Sequence, residues 1–230
     1  LVGNAKYEKV PLRNPVRDVR VLKNVLEESN FRVTMVVNQD RQGFRKVLRK
    51  FMEDLKKAGP DANALFYYSG HGVEFQGKNY LVPIQSDVMS ERDFQEEFIS
   101  VSRVYSALSP ITSGVKVVLL DACRNSGLKS ATRSLSKGLA PMDADSGMIV
   151  GFATAPGKVA LDGSGRNSPY LLGLAQAIRT ARAKAERAAS SIEFVLKETR
   201  KNVARATQRK QLPMYESELE ANLYFKTATQ

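Results

Sequence analysis

Val117-Val118-Leu119-Leu120 is the stretch that most restricts what this chain can fold into. Four consecutive apolar residues predict a strand buried on both faces, and such strands belong inside a sheet covered by helices. The run ends at Asp121-Ala122-Cys123-Arg124, and Cys123 is the only cysteine in the chain. A similar stretch, Ala64-Leu65-Phe66-Tyr67-Tyr68-Ser69-Gly70-His71-Gly72, closes on the only histidine. In open α/β sheets the ligand crevice lies at the carboxyl ends of the strands. Both single residues are therefore expected at one crevice, each just past the end of its strand.

The rest of the chain alternates helices and strands. Asn14-Pro15 opens a first helix, with Asn14 as N-cap and Val19, Leu22, Val25 and Leu26 at helical spacing. Phe31 to Val37 reads as a strand. Asp40 caps a second helix carrying Phe44, Val47, Leu48, Phe51 and Leu55, which Gly59-Pro60 stops. Val73 to Pro83 reads as a hairpin around Gln76-Gly77. Residues 84–99 have no clear period, and a short helix covers Val101 to Leu108. The stretch from Asn125 to Gly147 reads as a long surface loop. Met148 to Ala153 is a further buried strand. A helix starts at Asn167-Ser168-Pro169 and runs to about Ala188. Ser190-x-x-Glu193 reads as a capping box for a last helix with Ile192, Val195, Leu196 and Val203. A short strand, Asn222 to Phe225, closes the chain. This alternation predicts an α/β fold with a largely parallel sheet and helices on both faces.

The bulk numbers narrow the function classes. With 230 residues and 43% hydrophobic content, one well-buried domain is expected. One cysteine forms no disulfide within the chain, and one His with one Cys cannot close a zinc site. No apolar run approaches the ~18 residues of a membrane span, and no secretory signal is visible. Leu1-Val2-Gly3-Asn4 reads as the tail of a strand, so a leader could have preceded it. The expectation is a soluble protein of cytoplasm or periplasm, according to that leader. The formal charge of +11 raises nucleic acid as a partner. However, much of the excess lies between Arg179 and Lys210 on solvated helix faces, without a recognition motif, so no specific nucleic acid is expected.

Taken singly, a lone cysteine is ordinarily a small core hydrophobe and a lone histidine a structural residue. Their joint placement selects a nucleophile and its proton-transfer partner. The caspase pattern sets a histidine roughly 50 residues upstream of the cysteine; here they are 52 apart. The words Ser69-Gly70-His71-Gly72 and Asp121-Ala122-Cys123-Arg124-Asn125-Ser126-Gly127 resemble the caspase-like clan of cysteine peptidases, most closely its bacterial metacaspase-like (orthocaspase) members. Leu1 to Asn4 and Asn14-Pro15-Val16-Arg17-Asp18 are similar to the family's first strand and helix. Ala153 to Gly157 and Asn167-Ser168-Pro169 are similar to the start of its small-subunit part.

The resemblance implies a three-layer sandwich around a mostly parallel six-stranded sheet. It divides a single domain over residues 1–230 into a large-subunit-like part (1–124), a linking loop (125–147) and a small-subunit-like part (148–230). It implies that Cys123 attacks the peptide carbonyl as a thiolate while His71 protonates the leaving amine. The backbone N–H groups of Gly72 and Cys123 would receive the oxyanion. Asp121 replaces the glutamine of the caspases proper; if the strand persists that far, it shares a face with Cys123. With Asp18 and Ser69 it would line a pocket for Arg or Lys before the scissile bond. Asp18 also sits in a first helical turn, where the dipole favours an acid anyway. Lys129, Arg133 and Lys137 are candidate self-cleavage positions in the linking loop. The family's acidic calcium-binding run is missing: Ile84-Gln85-Ser86-Asp87 offers one acid, and Asp143 and Asp145 are paired loop acids. No metal and no cofactor are expected. The partners are protein or peptide substrates with basic residues, and the chain is expected to be a monomer. Two rivals stay open: a catalytically silent pseudopeptidase that binds basic peptides or partner proteins, and a nucleic-acid-binding α/β module.

Overall fold

Buried apolar strands joined by amphipathic helices dictate a layered arrangement, and the computed structural model has one. It describes residues 1–86, 91–123, 139–140, 142, 144, 146–155, 158, 160–184 and 190–225. In chain order the elements are β1 (Val2–Gly3), α1 (Pro15–Glu27), β2 (Val36–Val37), α2 (Arg41–Ala58), β3 (Ala64–Phe75) and β4 (Lys78–Leu81). Then come α3 (Glu91–Glu97), β5 (Ile99–Ser100), α4 (Val101–Leu108), β6 (Lys116–Cys123) and β7 (Met148–Phe152). The chain continues with α5 (Pro169–Arg182), α6 (Ile192–Ala206) and β8 (Met214–Ser217).

The main sheet has the order β2-β1-β3-β6-β7-β8. All of its neighbours run parallel except β8, which is antiparallel to β7. Successive residues of β6 feed opposite layers, as strand geometry requires. Val117 and Leu119 join a core with α1, α5 and α6, whereas Val118, Leu120 and Ala122 join one with α2 and α4. The two-sided apolar run thus means a central strand between two helical layers. A third cluster, with Phe75, Tyr80, Phe94 and Phe98, fills the space under the β3–β4 hairpin. That hairpin turns at Gln76 and Gly77, both at positive φ, as a two-residue turn demands.

Several expectations change in detail. His71 does not lie past its strand; β3 runs on to Phe75, exchanging parallel pairing with β6 for antiparallel pairing with β4. Of the expected strand over Phe31 to Val37, only Val36–Val37 enters the ladder. Phe31, Val33 and Met35 still pack on the core, because alternation reports side-chain burial rather than backbone pairing. Asn14 precedes α1 but makes no side-chain cap; it is helical itself, and its amide donates to the Asp162 carbonyl at 2.5 Å. Asp40 does cap α2, accepting from Gly43 N–H at 2.7 Å.

The cap of α6 is Ser191 rather than Ser190, accepting from Phe194 N–H at 3.2 Å. Glu193 is then one position too early for a capping box, and instead accepts from the Ser217 hydroxyl at 3.0 Å. Helix α5 ends at Arg182, short of the expected Ala188. The last sheet strand is Met214–Ser217; the expected strand at Asn222 to Phe225 contributes only a bridge between Ser191 and Tyr224. Its Glu216 disguised β8 as a polar stretch, and charges are common on edge strands. Much of the expected loop over 125–147 lies outside the described residues, but Leu139, Met142 and Ala144 pack on the α2–α4 layer. Asn79 holds this part, donating to the Ala140 carbonyl at 2.9 Å and accepting from its N–H at 2.7 Å.

Candidate active site

The last rung of the β3–β6 ladder pairs His71 with Cys123, and the rung two residues earlier pairs Ser69 with Asp121. Neighbouring strands lie only about 4.8 Å apart. The two chemically distinctive residues of the sequence therefore meet where the pairing of the two central strands ends. Ser69 and His71 are both buried. The His71 ring donates from Nε2 to the Val10 carbonyl at 2.7 Å. A carbonyl only accepts, so Nε2 carries the proton, and in the neutral ring Nδ1 is the basic nitrogen. Tyr7 packs its ring against the imidazole with centroids 4.3 Å apart.

Gly72 follows at the fork where β3 leaves β6. A Cβ there would stand 2.9 Å from the Ala122 Cβ and 3.3 Å from Leu139. The glycine is thus required by packing on the α2–α4 layer.

Beside this rung lies a pair of buried carboxylates. Asp121 is buried and accepts from the Tyr67 hydroxyl at 3.1 Å and the Ser168 hydroxyl at 2.5 Å. Asp18, from the first turn of α1, is also buried. Its Oδ1 accepts from Asn167 Nδ2 at 2.8 Å and from Ser168 N–H at 3.1 Å. Its Oδ2 has no hydrogen-bond partner among the described residues. One serine therefore bridges two carboxylates through its side chain and its backbone. Among the described residues no basic side chain neutralises either one.

Electrostatics follow from that arrangement. Burial pushes the Asp121 carboxyl up to about 8, helped by the charge of Asp18 and opposed by the bonds from Ser168 and Tyr67. Burial likewise pushes Asp18 up to about 6, against the bonds from Asn167 and Ser168 and with the charge of Asp162. Asp162, half-buried, is the third acid of this neighbourhood; it also accepts from Arg13 N–H at 2.9 Å.

The structure thus brings Asp18, Ser69, His71, Gly72, Asp121 and the Cys123 backbone to one end of the sheet. Lys129, Arg133, Lys137, Asp87, Asp143 and Asp145 lie outside the described residues. Among the described residues no group of three or more His, Cys, Asp or Glu side chains could hold a metal ion. Nor is any described helix long and apolar enough to cross a membrane. The sequence reading missed Ser168 as the partner of both carboxylates, although Ser168-Pro169 is an N-cap signature. It gave Asn167 only as part of a helix-start word, and missed Tyr67, Asp162, Tyr7 and Val10, which tertiary folding alone brings in.

Comparison with known proteins identifies the family of the chain. The model of the caspase domain, a peptidase family, matches residues 1–224. The chain is 27% identical over 163 residues to mucosa-associated lymphoid tissue lymphoma translocation protein 1 of Homo sapiens, covering 70% of this chain and 19% of that protein. The Mus musculus homolog is 26% identical over 163 residues, covering 70% of this chain and 18% of that protein. The match spans about a fifth of the length of these relatives. With a family match from end to end of the sheet, the chain belongs to the caspase-domain family of peptidases.

Proposed function

We propose that the protein is a cysteine endopeptidase, metacaspase-like in organisation, that cleaves after Arg or Lys with Cys123 and His71 as its dyad. The Cys123 thiolate adds to the peptide carbonyl carbon, and the C=O electron pair moves onto oxygen. Collapse of this adduct breaks the C–N bond as the His71 imidazolium protonates the departing amine. Water, deprotonated by the now neutral imidazole, then hydrolyses the thioester and restores the thiolate.

The oxyanion would be received by the N–H groups of Gly72 and Cys123. His71 directs its N–H and C=O to the β4 side, toward Tyr7 and Val82. Strand alternation then turns the Gly72 N–H to the β6 side, beyond the last rung.

The observation that carries the specificity is the pair of buried carboxylates, Asp18 and Asp121, with no base to neutralise them. A guanidinium entering this pocket would meet up to four carboxylate oxygens, and Arg suits such bidentate contacts better than Lys. Ser69, buried on the rung of Asp121, would line the same pocket. An acid so near a thiolate would disfavour it if permanently charged. A carboxyl raised to about 8 is largely protonated at neutral pH, so the empty pocket spares the nucleophile that repulsion. The outer strand β8 carries Glu216 on the sheet edge, which discourages edge pairing and fits a monomer.

The test is a panel of peptides with Arg, Lys, Asp or Ala before the scissile bond, run beside labelling by an arginyl chloromethyl ketone. Cleavage after Arg and labelling of Cys123 are expected. Efficient cleavage after Asp would refute the pocket, and binding of basic peptides without turnover would identify a pseudopeptidase.

A further inference from the structure

The Gly72↔Leu81 register places His71 opposite Val82 across the β3–β4 hairpin. One of the two bonds expected of such a pair is present: Val82 N–H donates to the His71 carbonyl at 3.0 Å. In place of the other, a tyrosine hydroxyl is inserted. His71 N–H donates to Tyr7 Oη at 2.9 Å, and Tyr7 Oη donates to the Val82 carbonyl at 3.0 Å. Tyr68 Oη lies 3.1 Å from Tyr7 Oη and donates to the His71 carbonyl at 2.8 Å. Two buried hydroxyls therefore wedge the ladder open at the histidine. Strand β1 cannot serve His71 instead, because its pairing with β3 ends at Gly3↔Ser69.

The wedge also explains a glycine. A Cβ at Gly70 would stand 2.5 Å from Tyr68 Oη and 2.7 Å from Tyr7 Oη. The first glycine of Ser69-Gly70-His71-Gly72 thus makes room for the tyrosine pair. Tyr7 acts on His71 twice: its hydroxyl seats the backbone, and its ring lies against the imidazole.

We propose that Tyr7 is a positioning residue for His71, setting where the imidazole stands relative to Cys123. This rests on the peptidase reading above. Without the Tyr7 hydroxyl, the Val82 carbonyl keeps Tyr68 Oη as a donor at 2.9 Å, while His71 N–H either stays unpaired or closes directly on that carbonyl. Closure moves the histidine backbone and an unpaired amide leaves it untethered, and misplacements of ~1 Å can cost on the order of 10²-fold in rate.

The experiment uses the whole chain with labelled histidine. His71 is the only histidine, so its imidazole NMR signals identify themselves. In the wild type the carbon-bound ring protons should be displaced from free-imidazole positions by the Tyr7 ring current, and Tyr7→Leu should remove the displacement. Tyr7→Phe should keep the ring contact, shift the His71 amide proton and alter the imidazole titration. Its kcat should fall by roughly 10²-fold with KM little changed. Ser191→Ala, a helix cap far from this network in function, controls for simple destabilisation and should not change kcat.

Wild-type kcat and imidazole titration in Tyr7→Phe would overturn the proposal. If that variant fails to fold, undisplaced ring protons in the wild type would overturn it. A wild type that hydrolyses no peptide would instead sink the peptidase reading, while the imidazole spectra would still decide the role of Tyr7.

Discussion

Asp121 accepts the Ser168 hydroxyl at 2.5 Å, and the same oxygen accepts Leu171 N–H at 3.0 Å as the N-cap of α5. The buried acid on β6 is thereby tied to the start of a helix from the other half of the chain. Ser168→Ala should remove the cap, at about 0.5–2 kcal/mol of stability, and also strip a donor from Asp121. Ser191→Ala removes the equivalent cap of α6 with no pocket contact. Melting curves should show both losses, and a peptide assay should show weakened cleavage after Arg in Ser168→Ala alone.

Asp121→Ala should cripple cleavage after Arg. Truncating one partner of a desolvated charge pair costs about 2–5 kcal/mol, which at about 1.36 kcal/mol per decade is on the order of 10²-fold or more in kcat/KM. Alkylation of Cys123 by a small neutral reagent should be nearly unchanged, since it does not use the pocket. Asp121→Gln should not create cleavage after Asp, because Asp18 would still repel an acid. An undiminished Arg preference in Asp121→Ala would show that the pocket is misassigned.

The two raised carboxyls predict a pH dependence with a definite sign. Both start near about 4 in the unfolded chain and stand at about 6 for Asp18 and about 8 for Asp121 in the fold. The native state therefore holds protons that the unfolded state has released. Their contribution to stability is fully present below about pH 4 and is lost as pH rises through 6 and 8. The melting temperature should fall over that window, and Asp18→Asn/Asp121→Asn should flatten the fall. A guanidinium ligand needs the ionised acids, so its calorimetric affinity should rise over the same window with release of protons.

Cys123→Ala should abolish peptide cleavage with the fold intact, and His71→Ala should come close. Residues that act as one unit are not additive, so the double variant should be little worse than either single one. Kinetics on the three variants, with circular dichroism to confirm folding, would check this. Wild-type turnover in His71→Ala would remove His71 from the mechanism.

Much of the architecture follows from local pattern, for a physical reason. Val117 to Leu120 can be apolar on both faces only inside a covered sheet, so a central strand could be read directly. Helix α4 spans the expected Val101 to Leu108, because its buried residues repeat at helical spacing. The two motif words bring His71 and Cys123 onto one rung, although β3 runs on past His71 to Phe75. Edge elements were less legible. Strand β8 mixes a charge into half-buried positions, and Phe31 to Met35 alternates without entering a ladder, since neither burial nor alternation reports a hydrogen-bond partner.

The remainder is decided by tertiary structure alone. Asp18 and Asp121 become a linked pair only because Ser168 bonds both, and burial then raises both carboxyls above their ordinary range. Tyr7 reaches His71 only because β1 parts from β3 after Gly3, leaving a backbone N–H that needs an acceptor. Sequence alone determined which residues could do the chemistry, since residue type and strand position are local properties. Charge state, tautomer and aim depend on burial and on partners distant in the chain, so only the folded arrangement determined them.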